Sequence, residues 1–449
     1  MHSTVGGLSR AGGEARPVHR FTGLPPVRAD AAPRGNLLHG IVVVAVLLLS
    51  LFGPVMSMKG DGGHASGEGN STRQLLYVAS MLLAVAGARP WQRPARLLVL
   101  PASMVVALAW CWASLGWSID PGSSLRRLVL TTMLIWTIFL SVDGLGYART
   151  VVLMRSVLLA VLIVNLLAVV LMPGIGIHQS QDVHDPGLIG AWRGVLGHKN
   201  FAGAAAAVTI LLLVFAGSGM RRWTRWGALA LSMIFLIGSL SKTSLGITMV
   251  AIGVGMAVKR YNPKLLPFAL PTLIAIAGVA LLGIDMGFAR MAGQLLWDPN
   301  AFTGRTEIWL PLLLYVRDHP LTGAGFGAVW NIGDAREPIF HYARGWVTLQ
   351  TSAHNGFLDL VAQVGIPGLV LGLTSLFLIP LARLFATRTF APSRAALLAA
   401  MLVFAFGHNF TESSLFERDI IVHVFLIFTI ALIRDVVRSP PLRLARARR

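Results

Sequence analysis

Short clusters in this chain combine the side chains that bind phosphate with one that titrates near neutrality. WRGVLGHKNFAG brings Arg193, His198, Lys199 and Asn200 together, SLSKTSLG sets Lys242 among small hydroxyl residues, and GRTEIW places Arg305 beside Glu307. Lysine offers an anion a point charge, whereas arginine offers a planar fork for two oxygens at once. TSAHNGFLDL adds His354 and Asn355. An imidazole titrates near neutrality, as a general base for a sugar hydroxyl must. The set therefore points to a phosphate-bearing substrate and the removal of a hydroxyl proton.

Each of these residues also has a plainer reading. Arg193 and Lys199 could anchor a span at the interface, and Lys242 could snorkel to headgroups. Arg305 could simply pair with Glu307 or another loop acid, and His354 could be a capping contact. HNFTESSLFERD adds Glu412, Glu417 and Asp419. Its Glu-x-Asp pair could hold a divalent metal on a diphosphate, but these acids are expected to pair with Arg418 and the cations of neighbouring loops. No Asp-x-Asp and no His/Cys set with zinc spacing occurs, so no metal is expected. Without a Walker A motif or a dinucleotide fingerprint in a strand-helix context, no nucleotide-driven activity and no cofactor is expected. LTGAGFGAVW lacks a preceding strand; Gly323, Gly325 and Gly327 are expected to permit tight turns.

The elements that must position these groups follow from composition. Of 449 residues, 55% are hydrophobic and 13% charged, with mean hydropathy +0.69; a soluble enzyme carries roughly a quarter charged residues, so that class is excluded. Stretches of near twenty apolar residues match the length needed to cross about 30 Å of hydrocarbon. An all-α polytopic membrane protein is expected, with about twelve spans near 37–57, 75–88, 97–116, 128–142, 150–172, 201–217, 226–240, 245–258, 265–283, 356–382, 395–408 and 420–433. Span six starts at or near Asn200, so its basic cluster would lie at a helix N-terminus, where free N–H groups favour an anion. Cys111 is the sole cysteine, which excludes an intrachain disulfide.

The net charge of +19 would suggest nucleic acid in a soluble chain. Here the Lys and Arg concentrate in alternate connecting segments that hold few acids (Glu14, Asp30, Asp143 and Asp435), while the other segments are nearly balanced. By the positive-inside rule both termini are cytoplasmic, and no nucleic-acid partner is needed. Residues 1–36 are expected to be a disordered basic tail without a cleavable signal, and 434–449 a basic cytoplasmic tail. Residues 37–283 would hold spans one to nine, with an outer loop at 173–200, and 356–433 spans ten to twelve. Between them, 284–355 is too long for a turn and too rich in aromatics, from Trp297 and Phe302 to Trp346, for disorder. It is expected to fold as a periplasmic cap, with IWLPLLLYVRDHP a short amphipathic helix that Thr303 could cap and Pro320 ends.

WRGVLGHKNFAG, SLSKTSLG, GRTEIW and AHNGFLDLVAQVGIPGL, in that order over about residues 190–370, resemble the O-antigen ligase and polysaccharide polymerase family, and the HKN segment is similar to its exopolysaccharide-production branch. The first 170 residues match only in span pattern. The resemblance implies a GT-C-type glycosyltransferase of the bacterial inner membrane, using undecaprenyl-diphosphate-linked glycans as donors at the outer face. By motif position it puts Arg193 and Arg305 on the diphosphate and His354 as base; Lys242 stands where many relatives have arginine. With the cluster read from the residues, the expected site is His354 and Arg305 for catalysis, Arg193, His198, Lys199, Asn200 and Lys242 for the diphosphate, and Glu307, Asn355 and Glu412 in support. The expected partners are the lipid-linked donor, a glycan or lipid-linked acceptor, the bilayer and other polysaccharide export proteins. Polymerisation of exopolysaccharide or O-antigen units is the favoured reaction, with ligation to lipid A core the alternative. A transporter or flippase would put ionisable residues near mid-membrane; here only Arg155 clearly falls within a span, near its inner end, and the other candidates sit at the outer mouth, which favours the enzyme.

Overall fold

The computed structural model describes residues 36–58, 71–180, 186–260, 305–332, 338–386, 391–418 and 420–438. Residues 1–35 and 439–449 of the expected tails, the span at 265–283, the first part of the long loop with Trp297, Phe302 and Thr303, and Asp419 lie outside the described residues, whereas 434–438, expected in the tail, continue the last helix.

The described chain is helical: α1 (Asn36–Met58), α2 (Ser71–Ala88), α3 (Ala102–Ala113), α4 (Pro121–Leu145), α5 (Tyr147–Leu171), α6 (Lys199–Ala216), α7 (Arg222–Gly238), α8 (Lys242–Arg260), α9 (Arg305–Asp318), α10 (Gly356–Leu373), α11 (Ile379–Ala386), α12 (Pro392–His408) and α13 (Ile421–Arg438). Each apolar run that falls on described residues lies on a helix. Five segments are long and apolar enough to cross a membrane: α4, α5, α6, α8 and the continuous α10–α11 segment. Three shorter apolar helices accompany them. On α5, Ile163, Val164, Leu167, Val170 and Leu171 are exposed, an apolar face suited to lipid and not to water. The protein is a polytopic membrane protein.

α13 is apolar on all sides, and such a helix belongs at the centre of a bundle. Its residues Ile421 to Arg434 are buried without a break, against α4, α12 and α11. Arg434, near its far end, donates through Nη1 to Asp143 at 2.8 Å. α6 packs through an unbroken buried run, Ala202 to Leu213, whose alanines let the neighbouring α7, α8 and α12 approach closely.

Two features differ from the apolar-run boundaries. α4 starts well before residue 128, because Asp120 accepts from Ser123 N and Pro121 occupies the first turn, where its missing N–H costs nothing. Arg127 therefore lies inside a helix. α10 is broken at Gly365, whose φ of 69° and ψ of 179° are non-helical, with Pro367 just beyond. The break frees carbonyls that the glycine-rich loop uses: Ala362 O and Gln363 O accept from Ala324 N and Gly325 N at 2.9 and 2.8 Å. Val364 O accepts from Trp110 Nε1 at 2.9 Å.

That loop, 321–331, turns through Gly323, Gly325 and Gly327, all at positive φ. It joins α9, whose buried face is Ile308, Pro311, Leu312 and Tyr315, in an apolar core of its own with Trp330, Ile339 and Val347. The described part of segment 284–355 is thus folded onto α10.

Candidate functional site

The first turns of α6 and α9 and the segment preceding α10 meet the one joining α12 to α13, and Glu412 is where they meet. Its Oε1 accepts from Asn200 Nδ2 at 2.6 Å and from Arg305 Nη2 at 2.9 Å, and its Oε2 lies 3.4 Å from His354 Nδ1. Arg305 donates its other arm to the Thr411 carbonyl. Burial pushes the Glu412 carboxyl up, but the hydrogen bond and charge of His354, with Arg305 and His408, outweigh it and hold the group at about 2. An ionised carboxylate has no hydrogen to give. The contact therefore puts the proton on Nδ1 of His354 and leaves the lone pair on Nε2. At 3.4 Å the contact is long for a hydrogen bond.

His354 sits at φ 49°, in the left-handed region that a side chain rarely adopts. Both of its neighbours are tied. Ala353 N donates to the two carboxylate oxygens of Asp359 at 3.2 and 3.1 Å, and Asp359 Oδ1 also accepts from Trp330 Nε1 at 2.7 Å. On the other side, Asn355 N donates to Ser413 Oγ at 3.0 Å, while Asn355 Oδ1 caps α10 through Phe357 N and Leu358 N. Backbone strain held in place this way is characteristic of functional sites.

A cavity of about 500 Å³ opens here, bounded by His198, His354 and Glu412, by Trp330 and Asn331 of the glycine-rich loop, and by Arg127 and Arg418. Gln363 also lines it and accepts from Gly327 N at 2.7 Å. His198 caps α6: its Nδ1 accepts from Asn200 N at 3.2 Å, and Lys199 N is taken by His178 Nε2 at 3.3 Å. The first N–H groups of α6 are therefore already engaged, contrary to the expectation of free donors for an anion. Burial pushes His198 below its ordinary value, with Glu412 opposing and His354, Lys199 and Arg305 reinforcing; it is a neutral imidazole, not a cation.

The remaining predicted residues lie apart from the cavity wall. Arg193 donates through Nε to Ile175 O at 2.9 Å, and Lys199 through Nζ to Gly187 O at 3.2 Å. Lys242 opens α8 and is exposed. Its neighbours reach the site instead: Ser241 Oγ donates to Asn200 Oδ1 at 3.3 Å, and Thr243 Oγ1 accepts from Thr411 Oγ1 at 2.8 Å. Glu307 accepts from Trp346 Nε1 at 2.7 Å and does not pair with Arg305. Sequence reasoning missed Arg127, Asp359 and Arg418. Arg127 was hidden by starting α4 at the apolar run, although the Asp-Pro cap was visible. Asp359 is a lone carboxylate three residues into an apolar helix, a signal that went unused.

The helical bundle and the half-buried carboxylate–imidazole pair define a membrane protein with a polar site at the ends of its helices. Residues 227–373 match the O-antigen ligase family model. Proteins of this family are membrane enzymes of the O-antigen ligase and polymerase type. The match takes in Lys242, Arg305, His354 and Asn355, while Arg193, His198, Lys199, Asn200 and Glu412 lie outside it. No curated protein matches the chain.

Proposed function

We propose that the chain is an inverting glycosyltransferase of the GT-C type, with about twelve spans and both termini cytoplasmic in a bacterial inner membrane. It extends exopolysaccharide or O-antigen chains from undecaprenyl-diphosphate-linked units at the outer face. The observation that carries this reading is His354, oriented by ionised Glu412 with its Nε2 lone pair available, where both line a polar cavity and Arg305 holds the far oxygen of the same carboxylate.

In this mechanism the donor diphosphate lies on the side of Arg305, Asn200 and Lys242, with Arg193 and Lys199 further out as charges that draw it in. The acceptor hydroxyl sits against Nε2 of His354. His354 takes the hydroxyl proton as the oxygen attacks the anomeric carbon. The bond from that carbon to the diphosphate breaks, and its electron pair leaves with the lipid diphosphate. Arg305 faces the charge that grows on the leaving group, an interaction stronger in the transition state than in the ground state. The negative charge of Glu412 offsets the positive charge that develops on the imidazole, which keeps the proton.

The test is transfer in lipid nanodiscs supplied with a synthetic undecaprenyl-diphosphate oligosaccharide. The wild-type protein lengthens the glycan and releases undecaprenyl diphosphate, whereas His354→Ala loses about 10²–10⁴-fold in rate while remaining folded. Wild-type turnover by His354→Ala removes the base. In a deletion strain, single repeat units left outside support polymerisation. Long polymer retained on undecaprenyl diphosphate supports ligation instead, and units trapped inside overturn the enzymatic reading in favour of a flippase.

A further inference from the structure

The cavity holds two guanidinium groups that the proposed chemistry does not use. Arg127 is 6% exposed and donates through Nη1 to the carbonyls of Gly327 and Trp330 and through Nη2 to Asn331 O at 2.8 Å. Its Nε is buried without a hydrogen-bond partner. A guanidinium has five N–H donors in a fixed fork, so three are spent on the glycine-rich loop and the Nε–Nη2 edge keeps two. That edge is the pair of parallel donors that fits two oxygens of one oxyanion.

Arg418 lines the same cavity and is a charge neighbour of Arg127. Its backbone is held at φ 27°, directly after the turn residue Phe416 at φ 53° and Glu417. Among the described residues, neither Arg127 nor Arg418 has a carboxylate within ion-pair distance, in contrast to Arg305 on Glu412. Glu412 and Glu417 line the same cavity, and Glu417 partly opposes the charge of Arg418 at Arg127 from beyond ion-pair distance; an anion bound between the two guanidinium groups would relieve the repulsion that is left.

We infer that Arg127 and Arg418 form a second anion subsite, which takes a carboxylate borne by the acceptor glycan. The assignment rests on the proposed transfer reaction, in which the donor diphosphate lies with Arg305 and the cations outside the cavity wall. The chamber beyond His354 then receives the acceptor sugar. A uronic acid or a ketal-linked carboxylate offers two oxygens to the Arg127 edge and a charge to Arg418. The substrate class is thereby narrowed to acidic polysaccharide.

Binding tests this separately from transfer. Full-length protein in nanodiscs is titrated with a trisaccharide bearing one glucuronic acid and with its carboxyl-reduced counterpart, followed by tryptophan fluorescence, since Trp330 lines the cavity. The acidic probe binds the wild type about tenfold more tightly. Arg418→Gln brings the ratio close to one, and Arg127→Lys, which keeps the charge and loses the fork, lowers it. Equal wild-type affinity for the two probes, or a ratio unchanged in Arg418→Gln, overturns the subsite. If Arg418→Gln instead loses binding of pyrophosphate with the uronate preference intact, the anion is the donor's and the glycan assignment falls. A uronate preference in a protein that transfers no sugar would keep the subsite and remove the proposed reaction.

Discussion

Glu412 faces Nδ1 of His354 at 3.4 Å with one oxygen and shares the other between Arg305 and Asn200. One carboxylate thus connects the base, the nearest cation and the start of α6. Removing its charge while keeping its shape should loosen all three together. Glu412→Gln is expected to lower kcat by about 10²-fold, the scale of an acid-base contribution, with a smaller change in KM. Arg305→Lys should also be impaired, because an ammonium cannot hold both the Thr411 carbonyl and the carboxylate from one planar group. Steady-state kinetics on the lipid-linked donor check both; unchanged kcat in Glu412→Gln would separate His354 from its proposed orienting partner.

The same carboxylate makes stability depend on acid. Glu412 is held at about 2 against an ordinary 4.5, so the folded protein binds that proton less readily than the unfolded chain. Its contribution is complete above the unfolded value and is lost as pH falls toward the folded one. The apparent melting temperature should drop between pH 4.5 and 2 in the wild type, and Glu412→Gln should lack that part of the drop. Parallel melting curves for the two proteins would reject the ion-pair assignment.

Asp359 acts one step back from the chemistry, through Ala353 N and Trp330 Nε1. Asp359→Asn leaves an amide N–H facing a donor, at a cost of roughly 1–3 kcal/mol for an unsatisfied buried group. The backbone of His354 should relax from its left-handed conformation, so kcat falls more than KM rises. Trp330→Phe should reproduce the effect more weakly. An Asp359→Asn protein that melts earlier yet keeps its kcat would make Asp359 purely structural.

At Gly365 the backbone is left-handed, and an added Cβ would run into the Leu321 backbone. Gly365→Ala is expected to destabilise by more than the ~1 kcal/mol of an ordinary glycine substitution. It should also detach the glycine-rich loop from Ala362 O and Gln363 O. Limited proteolysis between residues 320 and 331 would reveal the loosening, and a protease pattern like the wild type's would argue that the loop is held elsewhere.

The helices were readable because each apolar run is local: a stretch that must leave water announces its own length. Hence the helix beginning at Gly356 starts with the run at 356–382, and Pro392–His408 covers the run at 395–408. The start of α4 was readable too, from Asp120-Pro121, once cap chemistry is weighed above hydropathy. Histidine 354 and Arg305 stood out by residue type alone. What the chain order could not rank was Glu412, one acid among three in HNFTESSLFERD.

By itself, then, the sequence determined that this protein is a bundle of apolar helices with cations and a histidine in its connecting segments. Tertiary structure decided which of them share a site. Arg193 and Lys199 are spent on the carbonyls of Ile175 and Gly187, while Arg127, distant in the chain, enters the cavity. The reason is physical: burial follows from local composition, but the partner of a charge is whichever group the packing brings within about 3 Å, where a hydrogen bond forms.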